Sequence, residues 1–151
     1  MSEESMVLEV QGFAMSKYGN KKVELDGHVF DSKAEADYYE GLKVRQAAGE
    51  VLNFELQPCF NLQPAFTKNG KKFLAITYIA DFMVYLPNGD VEVIDIKGLC
   101  TETFKVKRKL FEYKYPHLQL ILLKHVKKYG GFITLDEYDR LKREEKKTKK
   151  G

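Results

Sequence analysis

The feature that most restricts the fold is a reversal at Pro87-Asn88-Gly89, which separates a long apolar run, residues 73–86, from an alternating run, residues 91–97. Runs this close in sequence pair as an antiparallel hairpin, and loop length sets which residues face each other. A two-residue loop of Asn88-Gly89 pairs Pro87 with Asp90. A three-residue loop, with Pro87-Asn88 as a type I turn and Gly89 in the left-handed region, pairs Leu86 with Asp90. Proline suits the first of those positions and glycine the last, so the three-residue loop is expected. It sets Asp81 opposite Asp95, Met83 opposite Val93 and Ile79 opposite Lys97. The other face reads Ala80, Phe82 and Val84 against Ile96, Ile94 and Glu92, nearly all apolar. A slip of one residue scrambles both faces.

This register has a chemical consequence. Opposed side chains on a sheet have Cβ atoms about 5 Å apart. Two carboxylates so placed among Ile79, Met83 and Val93 repel each other and lose hydration, and they need a cation, a shared proton or a nearby lysine. Lys97, two residues beyond Asp95 on the same face, supplies one positive charge. Oxygen ligands with net negative charge suit Mg²⁺ or Mn²⁺, which keep waters and take phosphate oxygens.

The remaining chain reads as one domain over residues 1–151. Residues 1–16 form a loose lead-in, and 23–30 a short strand pair around Asp26-Gly27. Ser32-Lys33-Ala34-Glu35 is a capping box, Gly49 sits where a helix ends, and Ala36, Tyr39, Leu42 and Ala47 recur between them at helical spacing. Residues 51–60 and 61–66 have a period near two but carry Pro58 and Pro64, so these strands are bent or lie at an edge. Lys68-Asn69-Gly70-Lys71 is a turn. A second helix fits 103–115, with Val106, Leu110 and Tyr113 on one stripe and Pro116 as its stop. The continuous apolar run 118–123 has the pattern of a strand covered on both faces. Thr134-Leu135-Asp136-Glu137 caps a terminal helix that gives way after Glu145 to a flexible basic tail, 146–151. The expectation is an α/β fold with helices flanking a mixed sheet.

Composition narrows the class. With 44% hydrophobic and 31% charged residues the chain is too apolar for disorder. No apolar run approaches the eighteen residues of a membrane span. The first fifteen residues carry Glu3, Glu4 and Glu9 but no Lys or Arg, the wrong charge for a signal peptide. A cytoplasmic protein with Cys59 and Cys100 as reduced thiols is expected, and neither cysteine has zinc-ligand spacing. The net charge of +3 conceals a balance of −6 over residues 1–102 and +9 over 103–151. That asymmetry points to a polyanionic partner.

Asp81, with Asp95-Ile96-Lys97 on the next strand, resembles the PD-(D/E)XK nuclease signature, with Ala80-Asp81 in place of Pro-Asp. Residues 17–123 are similar to a phage and prophage family described as Holliday junction resolvases. The segments that carry the likeness are Lys17-Tyr18-Gly19-Asn20, Leu56-Gln57-Pro58, Ile76-Thr77-Tyr78-Ile79-Ala80-Asp81-Phe82 and Lys97-Gly98. The resemblance implies a restriction-endonuclease-like α-β-β-β-α-β core. It also implies Mg²⁺ held by Asp81, Asp95 and the Ile96 carbonyl, with Glu35 from the first helix as a further ligand. Lys97 then assists hydrolysis of a DNA phosphodiester, leaving 5′-phosphate and 3′-hydroxyl ends.

Other readings attach to the same residues. An Asp/Glu-x-Lys triplet also begins at Asp31, Glu112, Glu144 and Glu145, so only its strand context gives Asp95 weight. A buried ion-pair cluster would use the same groups, although such clusters are costly where Val or Ile would serve. Glu35 is also the capping partner of Ser32, and Gln57 a strand-end amide. The three histidines are scattered, and the Tyr and Phe stripes read as core. Lys105, Lys107, Arg108 and Lys109 are candidates for gripping the DNA backbone. Branched DNA is the first substrate, and cutting both strands of a junction calls for a symmetric homodimer. Flap, end-processing and transposition-linked cutting are the alternatives, as is a silent DNA-binding protein. Intact Asp81, Asp95 and Lys97 argue against silence.

Overall fold

The structure, a computed structural model, describes residues 21–150; the expected lead-in 1–16 and the last residue of the tail lie outside them. The chain divides after Ala48 into two compact units.

In the first unit, β1 (Val23–Leu25) and β2 (His28–Phe30) form the expected hairpin. Asp26 and Gly27 both take positive φ, 54° and 78°, as a type I′ turn demands. The helix α1 (Lys33–Ala47) starts at Ser32, whose Oγ accepts from Glu35 N at 3.1 Å, and Gly49 follows its end at φ 82°. Ala36, Tyr39 and Leu42 are buried as the spacing predicts, whereas Ala47 is exposed. Tyr39 packs on Phe30 with ring centroids 5.0 Å apart, and its hydroxyl donates to Asp26 Oδ2 at 2.9 Å, tying the turn to the helix.

The second unit is mixed α/β. Its strands are β3 (Asn53–Leu56), β4 (Cys59–Gln63), β5 (Phe66–Lys68), β6 (Lys71–Phe73), β7 (Ile76–Ile79), β8 (Phe82–Tyr85), β9 (Val91–Ile96), β10 (Gln119–Val126) and β11 (Gly131–Thr134). The helices are α2 (Glu102–Lys114) and α3 (Leu135–Lys150). A five-stranded sheet runs β11-β10-β9-β8-β3, with β9 and β10 parallel and the other neighbours antiparallel. That one parallel pair needs a crossover, and α2 provides it.

The β8–β9 register is the expected one. Met83 faces Val93 and Phe82 faces Ile94, and Leu86 N bonds Asp90 O at 2.9 Å across the three-residue loop. Gly89 stands at φ 93°.

The run 73–86 is not one strand, however. It breaks at Leu74-Ala75, between β6 and β7, and at Ala80-Asp81, between β7 and β8, where the opposite chain breaks at Gln57-Pro58 instead of at residue 60. Regular antiparallel ladders alternate bonded and non-bonded pairs. Here neighbouring pairs both bond, Gln57 N to Asp81 O at 2.9 Å and Ala80 N to Pro58 O at 3.1 Å, with Gln57 at φ 51°. Pro58 has no N–H to return to Ala80, so the ladder yields at this point. The pairing stays in step across the break, Leu56 with Phe82 and Cys59 with Ile79, yet the side chains change face there. Tyr78 and Ala80 therefore join Val93, Leu122, Phe60, Leu62, Phe104 and Phe111 in one core cluster, while Ile79 is 58% exposed. The expected pairing of Ile79 with Lys97 on the site face is overturned for this reason.

Two helix expectations also change. In α2 the buried residues are Phe104 and Phe111, while Val106 and Tyr113 lie exposed. Two aromatics seven residues apart outweigh the aliphatic stripe in setting which face packs. The terminal helix does not give way after Glu145 but runs to Lys150. Ion pairs at helical spacing support it: Arg140 with Glu144 at 2.7 Å and Lys142 with Glu145 at 3.8 Å.

Candidate active site

Asp95 sits near the C-terminal end of β9 with 4% of its surface exposed. A buried carboxylate must be bonded or neutralised. Tyr78 answers with its hydroxyl, donated to Asp95 Oδ2, and Lys97 with its ammonium 3.2 Å from the same oxygen. Lys97 is itself one-fifth exposed and rests over the Phe104 ring, 3.9 Å from the centroid. Its charge is thus confined between a carboxylate and an aromatic face.

Asp81 occupies the kink and is held from three sides. Its N–H donates to Ile94 O at 3.0 Å, its carbonyl accepts from Gln57 N, and its Oδ2 accepts from Ile96 N at 2.7 Å. That last bond explains the residue locally. Lys97 N bonds Leu123 O in β10, so the alternate residue, Ile96, turns its N–H and carbonyl toward β8. There the ladder has broken, and the Asp81 carboxylate takes the N–H left over.

Both carboxylates act on Tyr78. Burial first, then the charge of Asp95 and the bond to it, then the charge of Asp81, push the Tyr78 phenol above its ordinary range, with Arg108 opposing. Tyr78 is therefore a proton donor to Asp95 at all ordinary pH. The sequence reading missed it because face parity, counted unbroken through Asp81, pointed Tyr78 away from Asp95. Pro58 opposite Ala80 was the available signal.

Three predicted residues, Asp81, Asp95 and Lys97, come together here. Glu35 lies in the other compact unit, 8% exposed, where its Oε2 accepts from Asp31 N at 3.3 Å, just ahead of the cap residue Ser32. The basic residues of α2 diverge. Lys107 lines an open cleft of ≈ 280 Å³ with Thr77, Tyr78, Lys97, Thr101 and Phe104. Lys105 pairs with Glu102 at 3.0 Å, and Lys109 is exposed.

Among the described residues no three His, Cys, Asp or Glu side chains gather as a ready metal cage. A cation would instead rest on two carboxylates and the Ile96 carbonyl. Tyr78 and Lys97 both use Oδ2 of Asp95, so Oδ1 is the oxygen left to face it. That donor set is hard and sparse, the kind that Mg²⁺ completes with waters and phosphate oxygens.

Residues 15–131 match a family described as a protein of unknown function, DUF1064. The chain belongs to this family. No curated protein and no solved structure matches it. Asp81, Asp95, Lys97, Tyr78, Pro58 and all of α2 fall inside the DUF1064 segment, whereas α3 lies beyond it.

Proposed function

We propose that this chain is a Mg²⁺- or Mn²⁺-dependent endonuclease that hydrolyses DNA phosphodiesters, with branched DNA as its substrate. The observation that carries the proposal is the convergence of Asp81, Asp95 and Lys97 at a strand kink. A purely structural cluster needs neither the break in the strand nor a lysine bordering an open cleft. In the main sheet β3, β8 and β9 are antiparallel neighbours and β10 returns parallel to β9 through the crossover helix α2, an order that supports a restriction-endonuclease-like core, in keeping with the resemblance to PD-(D/E)XK nucleases.

A bound cation would polarise the phosphate and lower the pKa of a bound water. The chain's own residues do the rest. Tyr78 and Lys97 hold Asp95 Oδ2, which orients Oδ1, and the Ile96 N–H fixes the rotation of Asp81. Lys97, immobilised over Phe104, orients water or stabilises the charge that develops on the phosphate. Lys107 and the hydroxyls of Thr77 and Thr101 border the cleft where the DNA backbone would lie. A homodimer would bring two such sites to one junction.

The test is incubation with a synthetic four-way junction, a flap and a linear duplex, with Mg²⁺ and in EDTA. Cutting of the junction that needs Mg²⁺ and fails with Ca²⁺ is expected. Cutting undiminished in chelator, or none on any substrate, would sink the proposal.

A further inference from the structure

The sequence between Glu55 and Asp81 contains no acid, yet it carries Lys68, Lys71 and Lys72 close together. These lysines sit on β5 and β6, a hairpin paired only with itself among the described strands. Its turn, Asn69-Gly70, takes φ 52° and 75°. The register sets Phe66 opposite Phe73, Thr67 opposite Lys72 and Lys68 opposite Lys71. One face of the ribbon therefore bears an aromatic pair followed by a lysine pair, and the other face bears Lys72.

The two pairs act in opposite senses: the opposed rings favour the hairpin, and the opposed lysines do not, although Lys71 Nζ lies 5.4 Å from the Phe73 centroid. Like charges directly opposite on a ribbon destabilise it, and a lone two-stranded hairpin is marginal in water. Phe66 and Phe73 stack on each other, centroids 4.8 Å apart and planes 10° apart, yet remain 44% and 38% exposed. Leu74, next in the chain, is 85% exposed. Lysine-rich edges resist strand addition, so a second copy pairing along this edge is disfavoured. A polyanion relieves the repulsion between Lys68 and Lys71, and a partner carrying flat apolar rings covers the phenylalanines. DNA offers both.

We propose that the hairpin β5–β6 is a DNA-gripping arm, its lysines on phosphates and the Phe66–Phe73 pair against bases left unstacked at a branch point. The inference rests on the DNA reading of the site and names how that substrate is held. Position agrees with it. In the chain β5–β6 lies between β4 and β7, so the arm is joined directly to the strand that carries Tyr78, five residues beyond Phe73.

Binding of labelled four-way junction and linear duplex, followed by fluorescence anisotropy across a salt series, tests the arm with the full-length chain in EDTA. K68Q/K71Q/K72Q should weaken binding to both DNAs and flatten the slope of log K against log salt by about 1 to 3. F66L/F73L should lose roughly tenfold on the junction, with the duplex salt slope unchanged. These side chains lie outside the core, so both variants should melt near the wild-type temperature. Wild-type affinity and slope in both variants would overturn the arm and leave the nuclease reading standing. A wild-type chain that binds no DNA would overturn both.

Discussion

The two ends of β8 are set by different means. At its C-terminal end Pro87-Asn88-Gly89 carries its conformation in its own residues: proline fixes one φ, glycine permits another, and the register follows. At its N-terminal end Ala80-Asp81 contains nothing that demands a break. The break is imposed by Pro58 on the opposite strand, which accepts a hydrogen bond and cannot return one. Local chemistry thus builds the scaffold end, and a tertiary conflict builds the end where Asp81 meets β9 beside Asp95. Strain of this kind tends to accumulate where function lies.

That contrast can be broken in four places. The largest effect is expected at the kink end itself. Asp95→Asn should lower Mg²⁺-dependent cleavage by about 10³-fold or more. Asn still accepts from Tyr78, so the melting point in EDTA should fall by only a few degrees. A fall of about 10 °C with cleavage kept would mark Asp95 as a structural ion pair, because breaking a buried pair costs on the order of 3–5 kcal/mol.

Tyr78→Phe removes the donor to Asp95 and keeps the ring in the core. Cleavage should drop about tenfold, and stability by roughly 1.5–3 kcal/mol, the worth of a hydrogen bond to a charged group. The same variant has a signature in alkali. The folded phenol holds its proton above the ordinary range, whereas the unfolded one releases it near pH 10. The unfolded state then binds fewer protons, so stability falls as pH rises past that point. In Tyr78→Phe the fall should be shallower by one proton, about 1.4 kcal/mol per pH unit. Equal slopes in urea titrations at pH 10 to 11 would contradict the burial of Tyr78 against Asp95.

Pro58→Ala restores an N–H opposite Ala80 and lets the ladder close. Cleavage should decline by several-fold with stability unchanged or raised, and an unaltered rate would mean the kink survives without proline. The smallest effect belongs to the other end. A Cβ on Gly89 meets no atom within 4 Å, so only its φ of 93° resists substitution. Gly89→Ala should cost about 1 kcal/mol and leave cleavage untouched.

What was legible in the sequence follows the same division. Capping residues announced α1 and α3, Asp26-Gly27 and Asn69-Gly70 announced their turns, and the three-residue loop gave the β8–β9 register, which carries Asp81 to the residue after Asp95, Ile96. Tyr78 was hidden because period-two reasoning assumes an unbroken strand. The packing face of α2 was hidden because Val106, Leu110 and Tyr113 form a plausible stripe, and only the cluster around Phe60 and Tyr78 favours Phe104 and Phe111. The length of α3 was underestimated because a lysine-rich end reads as a tail until its glutamates are seen at pairing distance.

The parallel seam between β9 and β10 sets an order of events during synthesis. Lys97 N is bonded to Leu123 O, twenty-six residues later, across the whole crossover. Closing so long a loop is slow beside the formation of a hairpin, which needs only its own turn. A nascent chain can therefore fold β8 against β9 while the strand that bears Asp95 still has an open edge. The backbone beneath Lys97 is locked only after Leu123 has left the ribosome. A fragment ending before that residue would carry both aspartates and the lysine, yet would lack the β10 strand that fixes the seam beneath them.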